Sequence, residues 1–194
     1  MALVSGGHGG LISTVAFAAF VSFAAALGGC EEEGPVSANV VPVKIAGETF
    51  HLELAADNPT RMKGLGSRTT IAPDGGMLFV FTPSQRMVQN FVMRDCPTDI
   101  DIMYLDGAGR VLTTYTMKME PPRKADGSEG KEGEFGTASG TAPSDAYEKR
   151  LPRYSSRFPS PFVIELAPGT IQKLGVKEGD QVAFDTAGLK RRAR

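Results

Sequence analysis

The sequence predicts an α+β fold: a compact, mostly antiparallel, β-barrel-like domain with two short helices. Three observations carry that prediction. Residues 77–81 (MLFVF), 91–93 (FVM) and 100–105 (IDIMYL) are short apolar runs bounded by Gly, Pro, Asn or Asp, the length of buried strands and too short for helices. Residues 41–55 alternate apolar and polar side chains on either side of a turn, the pattern of a hairpin with one buried face. The 194 residues include 23 Gly and 13 Pro and no Trp, a composition that favours many turns over long helices.

The chain begins with an address rather than with structure. Residues 11–27 (LISTVAFAAFVSFAAAL) form an uncharged run of apolar and small residues, about the length of a signal-peptide core. The run ends in Leu27-Gly28-Gly29-Cys30, which resembles the lipobox of bacterial lipoproteins, where small residues let a peptidase reach the bond before the acylated cysteine. The first ten residues contain no Lys or Arg, a departure from that pattern, and an ordinary transmembrane anchor is the alternative. The expectation is a lipoprotein signal peptide over 1–30, lipidation at Cys30 and a flexible acidic tether over 31–39. The protein is then exported and lipid-anchored to the cell envelope, with its domain in the periplasm or extracellular space.

A single domain is expected over 40–186. Val41, Val43 and Ile45 alternate with polar or small residues, Gly47-Glu48 turns the chain, and Phe50, Leu52 and Leu54 resume the alternation. Asp57 or Asn58 can cap a short helix that has Pro59 in its first turn and Gly64 or Gly66 at its end. Residues 72–76 turn into the first central strand. After a second turn at 106–109, residues 110–119 form a strand that places Val111, Thr113, Tyr115, Met117 and Met119 on one face. Residues 123–147 are rich in Gly, Ser, Ala and Glu, with too little apolar surface to offset their ordering entropy, and are expected to be a disordered insertion. Order returns at Leu151, with a strand at 162–166, a short helix at 170–174, a turn at 176–180 and a last strand at 181–184. Residues 187–194 are a basic tail.

Several segments occur together in a telling order: Gly64-Leu65-Gly66-Ser67-Arg68, residues 75–81, Phe91-Val92-Met93-Arg94, Asp101, Ser155-Ser156 and residues 174–180. In that order they resemble the domain-of-unknown-function 192 (DUF192) family over about residues 41–184. The resemblance implies a compact, barrel-like α+β domain of no established activity, and supplies no catalytic residue. The chain departs from it at Gly66, where many relatives have Met, and at Val92, where they have Trp. At Arg94-Asp95-Cys96 they have Lys-Asn-Thr, and the insertion before Leu151 is longer here.

Charge and motifs narrow the chemistry. The 21 Lys and Arg balance 22 Asp and Glu, a net charge of -1 that offers no basic face to nucleic acid. No CxxC, HExxH, phosphate-binding loop or GxSxG occurs, so no metal, cofactor or catalytic residue is assigned. Asp95, Asp99 and Asp101 are a carboxylate cluster that could bind a cation or exchange protons. The competing reading is structural, with Asp101 accepting hydrogen bonds from a loop or pairing with Arg94 or Arg157. Cys96 is either a buried inert thiol or a nucleophile, and the only His outside the leader is His51. The segment Tyr154-Ser155-Ser156-Arg157 either holds a ligand or latches the insertion. Loops on a rigid scaffold concentrate binding residues, so Arg94, Asp95, Cys96, Asp101, Tyr154, Ser155, Ser156 and Arg157 are expected to form one cleft. The function expected is a non-catalytic binding or accessory module at the membrane surface, for a small polar ligand, a glycan or an envelope protein. The alternative is an envelope hydrolase using Asp95/Asp101 or Cys96.

Overall fold

The computed structural model describes residues 39–137 and 139–194. The expected signal peptide over 1–30, the expected lipidation site Cys30 and all but residue 39 of the expected tether lie outside the described residues. Among the described residues no helix is long and apolar enough to cross a membrane.

Eight strands form among the described residues: β1 (Val40–Ile45), β2 (Glu48–Ala55), β3 (Gly76–Val80), β4 (Val88–Phe91), β5 (Ile100–Leu105), β6 (Val111–Met117), β7 (Tyr154–Pro159) and β8 (Phe162–Leu166). Six of them form one sheet in the order β1-β2-β3-β8-β5-β6, while β4 and β7 form a separate ribbon. Only β2 and β3 pair in parallel; the other neighbours are antiparallel. The sheet is not closed into a barrel. Its two edges are instead tied by one segment, because Ala183 bridges Lys44 of β1 and Gln181 bridges Arg110, just before β6. That tie gives the open sheet its barrel-like character, and it replaces the last strand expected at 181–184.

Local chemistry accounts for the elements. Ile45 pairs with Glu48, so the hairpin turn is Ala46-Gly47, one residue earlier than expected. Both residues have positive φ, 49° and 91°, as a two-residue turn that matches strand twist requires. Helix α1 (Asn58–Lys63) is capped by Asp57, whose carboxylate accepts from Thr60 N at 2.9 Å. Strands β3, β5 and β8 are buried along their whole length. Burying each large side chain there contributes roughly 1.5–3 kcal/mol.

The central strands therefore separate two cores. One holds Leu78, Val80, Met103, Leu105, Phe162, Ile164 and Leu166 with the inward residues of β1 and β2. The other holds Met77, Phe79, Ile100, Ile102, Tyr104 and Val163 with Leu65, Met93 and Met117. The β4–β7 ribbon belongs to the second face: the Phe91 ring meets Phe79 edge-on at 5.0 Å, and Tyr104 donates from its hydroxyl to Tyr154 O at 2.7 Å. Residues 91–93 are thus not a third central strand. Phe91 ends the ribbon strand half-buried, and only Met93 is fully enclosed.

Among the described residues four short α-helices stand where two were expected. Besides α1 and α3 (Thr170–Leu174), the chain forms α2 (Pro143–Arg150) and α4 (Thr186–Arg192). The basic tail folds as α4 because Asp185 caps it through Gly188 N at 2.8 Å and Leu189 is buried in the first core. Its cations also sit in the last turn, where the helix dipole favours them.

The described residues of the segment expected to be a disordered insertion, 123–137 and 139–147, make a set of polar contacts. The Arg123 guanidinium is 7% exposed and bonds both Asp95 oxygens, at 2.9 and 3.2 Å, and the carbonyls of Glu129 and Glu134. It also lies 4.0 Å over the ring of Tyr147, whose hydroxyl accepts from Asp95 N at 2.9 Å. Glu129 is held by Arg150 at 2.8 Å, and Asp145 caps α2 by accepting from Ala142 N and Thr137. Charged pairs and one buried Tyr do the work that an apolar run would do elsewhere.

Two outcomes follow from this architecture. Asp101 is wholly buried and accepts from Thr116 Oγ1 and from Ile171 N, each at 2.8 Å, which fixes the start of α3. Asp101→Ala should lower stability by about 1–3 kcal/mol, the cost of stranding those donors; an unchanged melting temperature would contradict the anchoring role. Limited proteolysis tests the insertion: the native chain should resist cleavage over residues 124–149 and Arg123→Ala should be cut there first. Equal, rapid cleavage of both proteins would restore the disordered reading.

Candidate functional site

The most enclosed polar chemistry lies on the second face of the sheet, under α1. A pocket of about 310 Å³ opens there, with Leu65, Phe79, Phe81 and Phe91 among its apolar walls. Asn58 and Arg61 of α1, Gln85 of the 3-10 turn Pro83–Gln85, and Asn90 of β4 give it a polar rim. Arg94 and Cys96 line one side, and Glu165 of β8 lies at the floor. The mouth carries exposed apolar groups, Met62 and Met87, of the kind that mark binding surfaces when they cluster.

Strand geometry puts Glu165 there. Successive side chains of β8 point to opposite faces, so Ile164 and Leu166 enter the first core while Val163 and Glu165 face the second. β8 runs between β3 and β5, pairing Glu165 with Met77 and Ile102, which sets the carboxyl against the middle of the sheet, beneath the pocket. Gly64 lets the chain cross above it. A Cβ at Gly64 would lie 3.5 Å from the Phe79 ring and 3.6 Å from Glu165 Oε2, and the backbone there has a φ of +53°.

The Glu165 carboxyl is 5% exposed, and its Oε2 has no hydrogen-bond partner among the described residues. Burial pushes its pKa up to about 7, against smaller downward pulls from the Leu65 backbone N–H and the Arg68 guanidinium. Arg68 is no counter-ion for it, being bidentate to Glu53 at 2.5 and 2.7 Å. A buried titratable group of this kind in a concave pocket makes Glu165 a candidate for function.

Of the residues expected to share one cleft, Arg94 and Cys96 line this pocket and the others do not. Arg94 pairs with Glu148 of α2, at 2.8 Å through Nη2, and lies 4.6 Å over the Phe135 ring. The Cys96 thiol donates to Arg94 O at 3.3 Å; burial first, then the charges of Glu165 and Asp95, push it up to about 12, so it stays protonated. Asp95 is turned toward Arg123 and Gly133 N. Asp99 accepts from Lys118 Nζ and Met119 N. Asp101 shares the first core's face with Met103 and Leu105, across the sheet from Glu165.

The β7 group has structural work. Tyr154 and Ser155 accept from the hydroxyls of Tyr104 and Tyr115 through their carbonyls, and Ser156 Oγ accepts from Gln89 N at 2.9 Å. Arg157 is exposed, 3.5 Å from Glu178. Sequence reasoning missed Glu165, Phe79 and the α1 residues as site components. The available signal was the single acid inside the apolar strand FVIEL.

Residues 41–184 match the model of the DUF192 family, described as "Uncharacterized ACR". No curated protein matches the chain. A solved structure of a protein of unknown function from Novosphingobium aromaticivorans DSM 12444 is 23% identical, with 75% of this chain and 85% of that chain covered and a TM-score of 0.54. Another, described as a "putative transcription regulator" from Sinorhizobium meliloti 1021, is 24% identical, with 76% and 92% covered and a TM-score of 0.49. At these identities the likeness concerns the fold alone.

The buried acid makes stability depend on pH. The folded chain holds the Glu165 proton up to about pH 7, whereas the unfolded chain releases it near 4.5. The folded state thus binds more protons between those values, so the neutral acid's contribution is complete below the lower value and lost as pH rises through the upper one. Glu165→Gln cannot ionise. Relative to it, the native chain should lose about 3 kcal/mol between the two pH limits. Denaturant unfolding of both proteins across that range reads the difference, and parallel curves would show that Glu165 titrates normally.

Proposed function

We propose that this chain, which belongs to the DUF192 family, is a non-catalytic binding module that captures a small ligand in the pocket above Glu165. The observation that carries the reading is the unpartnered Oε2 of Glu165 at the floor of an aromatic-walled pocket. A buried polar atom left without a partner costs about 1–3 kcal/mol. A ligand that satisfies it recovers that cost on binding, while its apolar body gains from the walls. The leader and Leu27-Gly28-Gly29-Cys30 support placement at the envelope through a lipid on Cys30, with the domain held near the membrane surface.

The alternative of an envelope hydrolase using Asp95/Asp101 or Cys96 has no comparable support. Asp95 and Asp101 are each saturated by separate partners, and Cys96 is held as a neutral thiol. A nucleophile in this pocket needs a base that keeps it ionised, and burial works against that here.

Two measurements test this reading. In an NMR titration with small aromatic and alkyl compounds of differing charge, amide shifts should cluster at Leu65, Phe79, Phe91 and Cys96. Perturbation elsewhere, or none from any compound, would remove the pocket from consideration. For the address, Cys30→Ala should move the protein out of the membrane fraction or block its processing, and unchanged fractionation and mass would rule the lipid anchor out.

A further inference from the structure

We infer that the ligand of this pocket is an apolar amine, whose protonated nitrogen seats on the Glu165 carboxylate while a short aryl or alkyl body packs against Phe79, Phe81 and Phe91. The inference rests on the reading of the pocket as a binding site and adds the charge and shape of what it takes.

The first argument is a missing counter-charge. The other carboxylates that are buried or enclosed by ion pairs are matched. Asp95 has Arg123, Glu129 has Arg150, Glu148 has Arg94, and Asp101 and Asp145 accept from two or more donors each. Glu165 alone in the buried set keeps an oxygen with no donor among the described residues. A buried carboxyl in that condition either stays protonated or receives a cation.

The second argument is that the described arginines around the pocket are already committed elsewhere. Arg94 is committed to Glu148, and Arg68 to Glu53. Arg61 donates to Val80 O, Asn58 Oδ1 and Arg194 O, and lies 5.4 Å over the Phe81 ring. Lys63 lines the pocket from an exposed position on α1. The remaining ionisable groups that feel Glu165 are Cys96 and Tyr104, both held neutral by burial. An anion would be repelled by the ionised Glu165 carboxylate, and Lys63, exposed to solvent, offsets that repulsion only weakly.

The third argument is the wall. Aromatic rings attract a cation through their faces, an effect that strengthens away from water, and Arg61 already uses Phe81 in that way. The Phe79 ring and Glu165 Oε2 flank the same point above Gly64, at 3.5 and 3.6 Å from it. A volume of about 310 Å³ lies at the small end of ligand pockets and suits a molecule with one ring or a short chain.

Binding is then proton-linked. With Glu165 protonated, the ammonium ligand displaces the carboxylic proton to solvent and forms the ion pair, so one proton leaves per amine bound. With Glu165 already ionised, no proton is released. The transition falls near pH 7, and affinity rises as pH passes upward through it.

Calorimetric titration of the full chain with phenethylamine, phenethyl alcohol and phenylacetate, at about pH 6 and about pH 8, tests this. The amine should bind more tightly than the alcohol, phenylacetate should not bind, and amine affinity should rise roughly tenfold between the two pH values. Glu165→Gln should lose amine binding at least tenfold while keeping its binding of the alcohol and its fold. Tighter binding of the alcohol or phenylacetate than of the amine would overturn the amine inference and leave the pocket reading standing. Amine affinity that ignores both pH and Glu165→Gln would overturn it as well. If none of the three binds, both fall. Should Glu165→Gln fail to fold, the order of the three affinities in the native chain decides.

Discussion

Three adjacent strands, β3, β8 and β5, are covered on both faces, and most of what matters in this protein follows from that constraint. A strand buried on one face can hide a polar residue by turning it outward. Here there is no outward direction, so every polar side chain in these strands must be anchored or must serve a ligand. Asp101 and Glu165 are the two acids in that position, and they resolve the problem in opposite ways. Asp101 is satisfied by Thr116 and Ile171 and ties α3 to the sheet. Glu165 is only partly satisfied, beneath a pocket. The same constraint that makes one a structural pin makes the other a candidate for recognition.

The cover on the second face is what leaves room for a site. The first face is filled by the β1–β2 hairpin together with residues of α3, α4 and the segment through Val182. The second is covered by smaller pieces: the β4–β7 ribbon, the Gly64–Gly66 crossing and the turn at 94–96. These pieces meet imperfectly around Glu165. The insertion reinforces the edge of that region from outside, since Glu148 of α2 holds Arg94 and Arg123 holds Asp95. A segment that resembles a linker in composition thereby becomes part of what fixes the pocket wall.

The division between what the sequence revealed and what it concealed has a physical basis. Periodicity exposed the β1–β2 hairpin, β3, β5, β6 and β8, because apolar spacing reports directly on burial. The capped start of α1 was legible from Asp57 and Pro59. The resemblance carried by the glycine-bearing segments led to the family itself. Composition reads residues 123–147 as a disordered insertion because it measures apolar surface, and it cannot see the charge-assisted hydrogen bonds of Arg123 to Asp95 and of Arg150 to Glu129, whose partners lie 28 and 21 residues apart. The polar run Tyr154–Arg157 looked like a site, yet its carbonyls and hydroxyls serve the ribbon and the tyrosines beside it. Glu165 was passed over because an acid in a strand is ordinarily read as solvent-facing, and only knowledge of β8's central place reverses that reading.

The central claim is that Glu165 is a buried carboxyl whose Oε2 has no hydrogen-bond partner among the described residues, and it can be measured directly. A carbon-detected NMR titration that follows the Glu165 side-chain carboxyl carbon in the ligand-free chain reports its ionisation alone. The account predicts a midpoint displaced upward to about 7. A midpoint at the ordinary value of 4.5 would mean that the carboxyl is solvated or paired, and the pocket would lose the group on which its chemistry rests.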